Sequence, residues 1–278
     1  MRQRPYVLLL DGAMGTALQA AGAPVGGASW SGRAVVEAPD AVRALHRRYA
    51  EAGAQVHTAV TFRGDHAVIG RAVEIARSAV PVDHRVAGSL APAADCYRPD
   101  ETPSEVRAVH RDRARALARA GVDLVLCETF ASSEEAIIAV EEARETDLPV
   151  WLALTAGPNA ELATPLQIER TGRRAVKAGA SAVLVNCTRA TRMLEYVRAI
   201  ADLDVVVGAY ANAGPPEDGL GWLVDWPQPR PGPEEMARRA ERYAELALGW
   251  VGAGATVIGG CCGTFPIHIE KICDALRG

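Results

Sequence analysis

Three cysteines in two apolar segments have the side chains and the surroundings of a zinc site. Two of them, Cys261 and Cys262, are adjacent in the run Ala255-Thr-Val-Ile-Gly-Gly-Cys-Cys-Gly-Thr264. Glycines on both sides allow the backbone to bend so that both sulfurs can face one soft cation. The third, Cys187, lies near the end of Ser181-Ala-Val-Leu-Val-Asn-Cys-Thr188. We therefore predict a zinc ion bound by Cys187, Cys261 and Cys262.

Three protein ligands would leave one coordination position of a tetrahedral zinc open, which is the arrangement of catalytic sites. A thiol that enters this position would have a lowered pKa and would bind as the thiolate at neutral pH. Two alternatives stay open, namely three buried cysteines without metal, and a structural zinc in a protein that only binds an amino acid. We interpret Cys96, Cys127 and Cys273 as ordinary thiols, and the six histidines show no metal-binding spacing.

Two acidic residues also end apolar segments. Asp11 follows three leucines in Leu8-Leu-Leu-Asp-Gly-Ala-Met-Gly-Thr16, and Glu128 follows Leu-Val-Leu-Cys. Two carboxylates suit an ammonium group, while the backbone N–H groups of Gly12 and Ala13 suit a carboxylate. We therefore predict an amino-acid clamp with Asp11 and Glu128 as its acids. A helix cap, a pair with an arginine and a glycosidase acid pair are the alternatives.

A Pro/Gly-rich segment over 211–232 predicts a lid or a binding loop rather than a regular element. Trp222 and Trp226 in this segment offer aromatic faces that suit a sulfonium or quaternary ammonium donor. Asn212, at the start of the segment, is a candidate for an amide oxygen near the metal. Anchoring of the loop by the tryptophans and a turn role for Asn212 are the alternatives.

The elements that position these residues follow from the alternation of short apolar runs with longer amphipathic segments, which is typical of parallel β/α units. Strands are predicted at 7–11, 55–61, 85–90, 122–127, 150–155, 182–186, 205–209 and 256–259. Helices are predicted near 40–52, 65–79, 103–120, 132–145, 165–178, 189–201, 233–252 and 266–276. Eight units in about 250 residues predict a single (β/α)8 TIM barrel over 1–278, with a doubly wound open sheet as the alternative fold.

In such a barrel the carboxyl ends of the strands carry the chemistry. Polar or thiol side chains are predicted at most of these ends: Asp11, Thr61, Ser89, Glu128, Thr155, Cys187, Asn212, Cys261 and Cys262. We therefore expect the cysteines and the acids to converge at one mouth of the barrel.

Composition favours a small-molecule ligand. The 278 residues carry a formal net charge of −4, which gives no electrostatic reason to expect nucleic acid or an anionic membrane as a partner. Six cysteines, several of them in apolar stretches, favour a reducing compartment, so we expect a cytoplasmic protein. The sequence contains no apolar run of the roughly 20 residues that a membrane helix needs. It does not indicate an oligomeric state.

Together these residues resemble the homocysteine S-methyltransferase family. The matching stretches are Leu10-Asp-Gly-Ala-Met-Gly-Thr16, 46–54, 121–130, Val185-Asn-Cys-Thr188, Tyr210-Ala-Asn-Ala-Gly214 and Ile258-Gly-Gly-Cys-Cys-Gly-Thr264. The resemblance implies a barrel that binds zinc and transfers a methyl group to the sulfur of homocysteine, giving methionine. It implies zinc at the three cysteines with Asn212 beside it, the substrate amino group at Asp11 and Glu128, and Thr188 in the substrate site.

Two positions depart from the family pattern. Val60 replaces the asparagine of the usual Asn-Thr-Phe, and Ala91 replaces the second glycine of the usual Gly-Ser-Leu-Gly-Pro. Both are predicted at the barrel mouth, so another thiol acceptor in a specialised pathway stays open. The chain has no space for the folate or cobalamin modules of large methionine synthases, which favours a small donor. S-methylmethionine is our first choice, S-adenosylmethionine the second and betaine the third.

Overall fold

The computed structural model describes residues 6–27, 30–220 and 231–278. Eight parallel strands form one sheet in the order β1-β8-β7-β6-β5-β4-β3-β2. The strands are β1 (Leu8–Leu9), β2 (Val56–Ala59), β3 (Arg85–Leu90), β4 (Leu124–Phe130), β5 (Val150–Leu154), β6 (Ala182–Arg189), β7 (Val206–Asn212) and β8 (Val257–Gly260). A bridge between Leu10 and Val56 joins the two ends of the sheet. The predicted (β/α)8 TIM barrel is confirmed.

Ten α-helices occur in the described ranges. They are α1 (Met14–Ala20), α2 (Gly32–Glu37), α3 (Pro39–Glu51), α4 (His66–Ala79), α5 (Val106–Ala120), α6 (Ser133–Arg144), α7 (Pro165–Ala178), α8 (Met193–Ile200), α9 (Pro233–Gly252) and α10 (Pro266–Arg277). Helices α3 to α10 correspond to the eight predicted ones. We did not predict α1 and α2, because helices of 7 and 6 residues are too short for a clear apolar period. None of the ten is long and apolar enough to cross a membrane.

Local signals in the sequence explain where several helices begin and end. The side chains of Asp65, Ser132 and Thr164 each accept a hydrogen bond from a backbone N–H group of the first helical turn that follows. Gly121 and Gly179 end α5 and α7 in the left-handed conformation, with φ of 82° and 104°. Glycine adopts this conformation without a Cβ penalty, which explains why the two helices end at these positions.

Three strands extend three residues further than predicted at their carboxyl ends. Strand β4 ends at Phe130 rather than 127, β6 at Arg189 rather than 186, and β7 at Asn212 rather than 209. The residues at these ends are polar, which led us to predict loops there. In the structure their backbones still pair with neighbouring strands. Glu128 and Cys187 therefore lie within strands rather than after them.

Irregularities in two of these strands aim side chains at the barrel mouth. The register shifts between Glu128 and Phe130 in β4, where Thr129 has φ of 69°. A second shift lies between Asn186 and Arg189 in β6, where Cys187 has φ of 51°. A bulge of this kind bends a strand and redirects its side chains, and left-handed backbone at residues other than glycine often marks functional sites.

The apolar core has two layers. Side chains that point into the barrel form a cluster of their own, which includes Leu10, Val56, Leu126, Leu184 and Val257. The alternate residues of the same strands pack outward against the helices in a second and larger cluster. The barrel interior is therefore filled below the mouth, and the space for a ligand lies at the strand ends.

Gly208→Ala is expected to lower the free energy of unfolding by about 2–4 kcal/mol. An added Cβ would meet the backbone oxygen of Val257 and lie 2.8 Å from the Cβ of Val257, so two paired strands would have to separate. Gly70→Ala, in the open middle of α4, is the matched control and is expected to raise stability by about 0.5–1 kcal/mol. Urea unfolding of both variants measures the difference, and equal effects would contradict this account of the β7–β8 contact.

Candidate active site

The structure brings together the three cysteines that the sequence singled out. The sulfur atoms of Cys187, Cys261 and Cys262 all lie within 4.8 Å of one another. Cys187 lies in the bulged end of β6, and the other two directly follow β8. Sulfurs from two separate strand ends therefore meet at the mouth of the barrel.

Glycines and backbone hydrogen bonds fix the two adjacent cysteines. The N–H of Cys261 donates to Ala211 O at 2.8 Å, and Thr264 Oγ1 donates to Cys261 O at 2.7 Å. A Cβ at Gly260 would collide with the side chain of Thr264, and Gly263 has φ of 77°. Both glycines are therefore required for the turn that presents the two sulfurs.

The chemistry of this cluster fits a soft divalent cation. Hydrogen bonds with Cys187 and Cys261 hold the pKa of Cys262 well below the range of an ordinary thiol, whereas the bonds with Cys187 and Cys262, together with burial, raise the pKa of Cys261. The side-chain amide of Asn212 donates to Cys187 O at 2.9 Å, while its buried Oδ1 has no hydrogen-bond partner among the described residues. Three clustered sulfurs form a donor set that suits zinc, and the amide of Asn212 lies beside one of them through its bond to Cys187 O.

Asp11 is a buried carboxylate with one hydrogen-bonding neighbour. Its Oδ2 accepts from Thr58 N at 2.8 Å and its Oδ1 from Thr58 Oγ1 at 3.0 Å. Burial raises the pKa of Asp11 well above its usual value, although the bonds from Thr58 partly offset this effect. Within the described ranges no arginine or lysine forms an ion pair with Asp11, and its side chain accepts from Thr58 of β2 rather than from the start of a helix.

Glu128 is held by two hydroxyl groups. Ser89 Oγ donates to Glu128 Oε1, and the Tyr210 hydroxyl donates to Oε2 at 2.9 Å. Thr61 in turn donates to Ser89 O at 2.9 Å. Burial raises the pKa of Glu128 to about 7, and the bonds from Ser89 and Tyr210 oppose this rise. Glu128 also has no ion-pair partner in the part of the chain described, so both acids are available to a cationic ligand.

One cavity of about 330 Å³ contains both features. Of the residues with a predicted role, it is lined by Asp11, Gly12, Ala13, Glu128, Cys187, Cys261 and Cys262. Val60, which departs from the family pattern, also lines it, whereas the buried Ala91 does not. A ligand in this cavity therefore contacts the acids and the sulfurs together.

Other predicted residues lie elsewhere. Thr188 is fully buried away from the described cavity lining, and its hydroxyl accepts from Ala156 N at 3.1 Å. Thr155 likewise accepts from Gly157 N at 3.1 Å. Trp222 and Trp226 fall outside the described residues.

The predicted carboxylate-binding turn is only partly free. The N–H of Ala13 donates to Thr264 Oγ1 at 3.2 Å and is therefore already used. Gly12 lines the cavity, and its N–H has no hydrogen bond with any described residue. Of the two backbone groups proposed for a carboxylate, Gly12 is the one that remains available.

Several residues of the site carried no role in the sequence analysis. Thr58 and Tyr210 hold the two acids, and three further aromatic side chains line the cavity, namely Trp30, Phe62 and Tyr97. Strand partners such as Thr58 become apparent only when the register is known. The three aromatic residues lie in loops, where no period predicts which side chain points inward.

Two buried histidines also lie beside Asp11. Ring nitrogens of His46, on α3, and His57, on β2, lie within 4.8 Å of a carboxylate oxygen of Asp11 and of each other. Burial lowers the pKa of His46 to about 4 and that of His57 to about 3, so both rings are neutral near pH 7. They therefore add no positive charge that would compensate Asp11. Because the two lie on different elements, their spacing in the sequence gave no metal-binding pattern.

The chain is similar to known proteins in sequence and in fold. Residues 8–276 match the sequence profile of the homocysteine S-methyltransferase family. An S-methylmethionine–homocysteine S-methyltransferase of mouse (Mus musculus) is 32% identical over 89% of this chain and 72% of that protein. Betaine–homocysteine S-methyltransferase 1 of cattle (Bos taurus) is 31% identical over 97% and 72%. The crystal structure of the metallated homocysteine methyltransferase MmuM of Escherichia coli has a TM-score of 0.78 at 25% identity, covering 100% of this chain and 97% of that one.

Proposed function

The chain belongs to the homocysteine S-methyltransferase family, and from this premise we propose that it transfers a methyl group from a small activated donor to the sulfur of homocysteine, forming methionine. One observation carries the proposal. A single cavity is lined by three clustered cysteines and by two buried carboxylates that no described cation neutralises. Homocysteine has the two groups that match this arrangement, a thiol and an ammonium.

We assign a zinc ion to Cys187, Cys261 and Cys262, with the amide oxygen of Asn212 beside them. When bound, zinc supplies a Lewis acid that lowers the pKa of the acceptor thiol. The Oδ1 of Asn212, which has no partner among the described residues, and the lowered pKa of Cys262 support this assignment. The name of the metallated relative from Escherichia coli is consistent with a metal in this family.

The acids and the turn after β1 orient the acceptor. We propose that Asp11 and Glu128 accept hydrogen bonds from the ammonium group, and that the N–H of Gly12 donates to the carboxylate. Ser89 and Tyr210 keep Glu128 fixed, and Thr58 does the same for Asp11. With the amino-acid end held, the sulfur is directed toward the cysteines on the same cavity wall.

The transfer is a displacement at the methyl carbon. The acceptor sulfur, after loss of its proton, attacks in line as the bond from the methyl carbon to the donor onium atom breaks, and the bonding electrons leave with the donor. This reaction needs positioning and exclusion of water more than it needs a general acid. The buried cavity wall, with Leu10 and Val60 among its apolar residues, supplies that environment.

S-methylmethionine is the donor that we propose first. The mouse relative carries this donor in its name, and the aromatic side chains of Trp30, Phe62 and Tyr97 suit a sulfonium cation. Betaine, named in the bovine relative, and S-adenosylmethionine are the other candidates. We propose the reducing cytoplasm as the site of action because all six cysteines are free thiols and three of them must stay reduced.

A direct test supplies protein of measured zinc content with homocysteine and each of the three donors in parallel. We expect methionine formation with at least one donor, fastest with S-methylmethionine. Protein with one zinc per chain that forms no methionine from any donor would refute the proposal. Because Val60 lines the cavity, methylation of another small thiol, supplied in place of homocysteine, would instead support the alternative acceptor.

Tyr210→Phe is expected to move the pH dependence of homocysteine binding upward. The Tyr210 hydroxyl stabilises the charged form of Glu128, whose pKa is already raised to about 7 by burial. Loss of a hydrogen bond to a charged group, about 1.5–3 kcal/mol, raises this pKa by about one to two units. The Michaelis constant for homocysteine, measured from pH 6 to 9.5, should fall with rising pH. The pH at the midpoint of this fall should be higher in the variant than in the wild type. An unchanged midpoint would separate Glu128 from acceptor binding.

A further inference from the structure

We propose that Arg63 binds the carboxylate of the methyl donor, so that the cavity selects donors that carry both an onium methyl group and a carboxylate. This inference rests on the proposed methyl transfer and adds a donor subsite to it. The subsite consists of one guanidinium group beside aromatic side chains in the loops of the barrel mouth.

The position of Arg63 places its charge at the cavity. The residue follows β2, is half-buried, and lines the cavity together with its neighbour Phe62. The guanidinium carbon lies 5.9 Å from the centroid of the Phe62 ring. This contact holds the cation against the cavity wall, where a bound ligand can reach it.

Arg63 has no counter-ion within the described part of the chain. Among the described residues no carboxylate oxygen lies within 4.0 Å of a guanidinium nitrogen of Arg63, although Asp95 lines the same cavity. The side chain of Asp95 instead accepts a hydrogen bond from Tyr97 N at 2.8 Å. By contrast, Arg98 of the same loop pairs at the surface with Asp100 at 3.3 Å. The positive charge of Arg63 is therefore available to a ligand.

A second arginine, Arg113, lies outside the cavity lining but close enough for its charge to interact with that of Arg63. Arg113 reaches the carbonyl oxygens of Ala91 and Pro92 at 3.5 and 3.4 Å rather than a carboxylate. Burial lowers the pKa of Arg113, the charge of Glu135 opposes this effect, and the charge of Arg63 adds to it. The two guanidinium groups thus repel each other, and among the described residues neither forms an ion pair with a carboxylate. A bound carboxylate would relieve this repulsion.

The donor chemistry matches such a wall. A sulfonium or quaternary ammonium group is attracted to aromatic faces, which Phe62, Tyr97 and Trp30 provide. The planar guanidinium of Arg63 can form two parallel hydrogen bonds with a carboxylate. The same positive charge repels an onium donor that has no carboxylate. Arg63 therefore favours donors with a carboxylate and disfavours donors without one.

The test compares S-methylmethionine with its carboxamide, in which a neutral amide replaces the carboxylate. With zinc-loaded wild-type protein we expect kcat/KM to be about 10–100-fold higher for the carboxylate donor. Arg63→Gln should reduce this preference to about twofold or less through loss of activity with the carboxylate donor. Arg63→Lys should retain part of the preference, because it keeps the charge but loses the planar fork. Arg98→Gln, which alters a surface arginine of the neighbouring loop, should retain all of it.

Two results would overturn the inference. One is an unchanged preference in Arg63→Gln. The other is a rise in the Michaelis constant for homocysteine rather than for the donor, which would place Arg63 at the acceptor. Calorimetric binding of the two donors to the same proteins decides the point without turnover. A third combination separates the two proposals. If no methionine forms, but wild type binds the carboxylate donor more tightly than the carboxamide and Arg63→Gln does not, the proposed function is refuted and the donor subsite is supported.

Discussion

Cys262→Ala is expected to remove bound zinc and to lower kcat for homocysteine methylation by about a thousand-fold or more. The variant deletes one of three sulfurs that lie within 4.8 Å of one another, and it is the sulfur whose pKa the other two thiols hold low. Without the metal, the acceptor thiol keeps its ordinary pKa. A thousand-fold lower kcat corresponds to an activation free energy that is higher by about 4 kcal/mol. Zinc content by atomic spectroscopy and steady-state kinetics on the same sample measure both losses.

Cys273→Ala is the matched control for this prediction. Cys273 lies on α10 outside the sulfur cluster, where its side chain packs near Gly53. We expect this variant to keep its zinc and its activity. Full activity of Cys262→Ala after complete loss of zinc would contradict the assignment of the metal to the chemistry.

Glu128→Gln is expected to raise the Michaelis constant for homocysteine by about 10–100-fold while zinc remains bound. The substitution removes the negative charge that we assign to the ammonium group, an interaction of about 1.5–3 kcal/mol. The side chain keeps its shape, and its two hydroxyl neighbours, Ser89 and Tyr210, remain in place. The constant for the methyl donor should be unchanged, because we assign Glu128 to the acceptor alone.

The same variant should stabilise the fold at high pH. Burial raises the pKa of Glu128 from 4.5 to about 7, so the folded protein keeps a proton that the unfolded chain releases between these values. The wild type therefore loses stability as the pH rises from 4.5 through 7, whereas glutamine has no proton to lose. Glu128→Gln should exceed the wild type in unfolding free energy by about 1–3 kcal/mol at pH 8 and by little at pH 4.5.

Glu134→Gln serves as the control for both measurements. Glu134 is an exposed acid that pairs with Arg174 at 2.7 Å on the outside of the barrel. This variant should bind homocysteine normally and gain no stability at pH 8. If Glu128→Gln kept the wild-type Michaelis constant over the whole pH range, Glu128 would have no part in the acceptor clamp.

The barrel was predictable because its strands and helices differ strongly in apolar period, and eight alternations fit few other folds. Strand ends were not predictable in the same way. Glu128 and Asn212 read as loop residues from their polarity, yet their strands continue through them because neighbouring backbones supply the hydrogen bonds. Position along a strand thus depends on pairing partners that lie far away in sequence.

Within the site, the cysteines were easier to predict than the residues around them. Glycines flanking Cys261 and Cys262 mark a special backbone in the sequence itself. Thr188 was harder to place, because the left-handed backbone of Cys187 decides whether the side chain of Cys187 or that of Thr188 faces the cavity. Tyr210 supports Glu128 across the barrel, and a contact between β4 and β7 leaves no local signal in either strand.

The most direct measurement of the central claim uses homocysteine labelled at all its carbons with ¹³C and unlabelled S-methylmethionine. Zinc-loaded protein should form one molecule of labelled methionine, carrying one unlabelled methyl group, for each donor consumed. Protein stripped of zinc should form almost none and should recover when zinc is restored. Donor consumption without labelled methionine, or equal rates with and without zinc, would contradict the account.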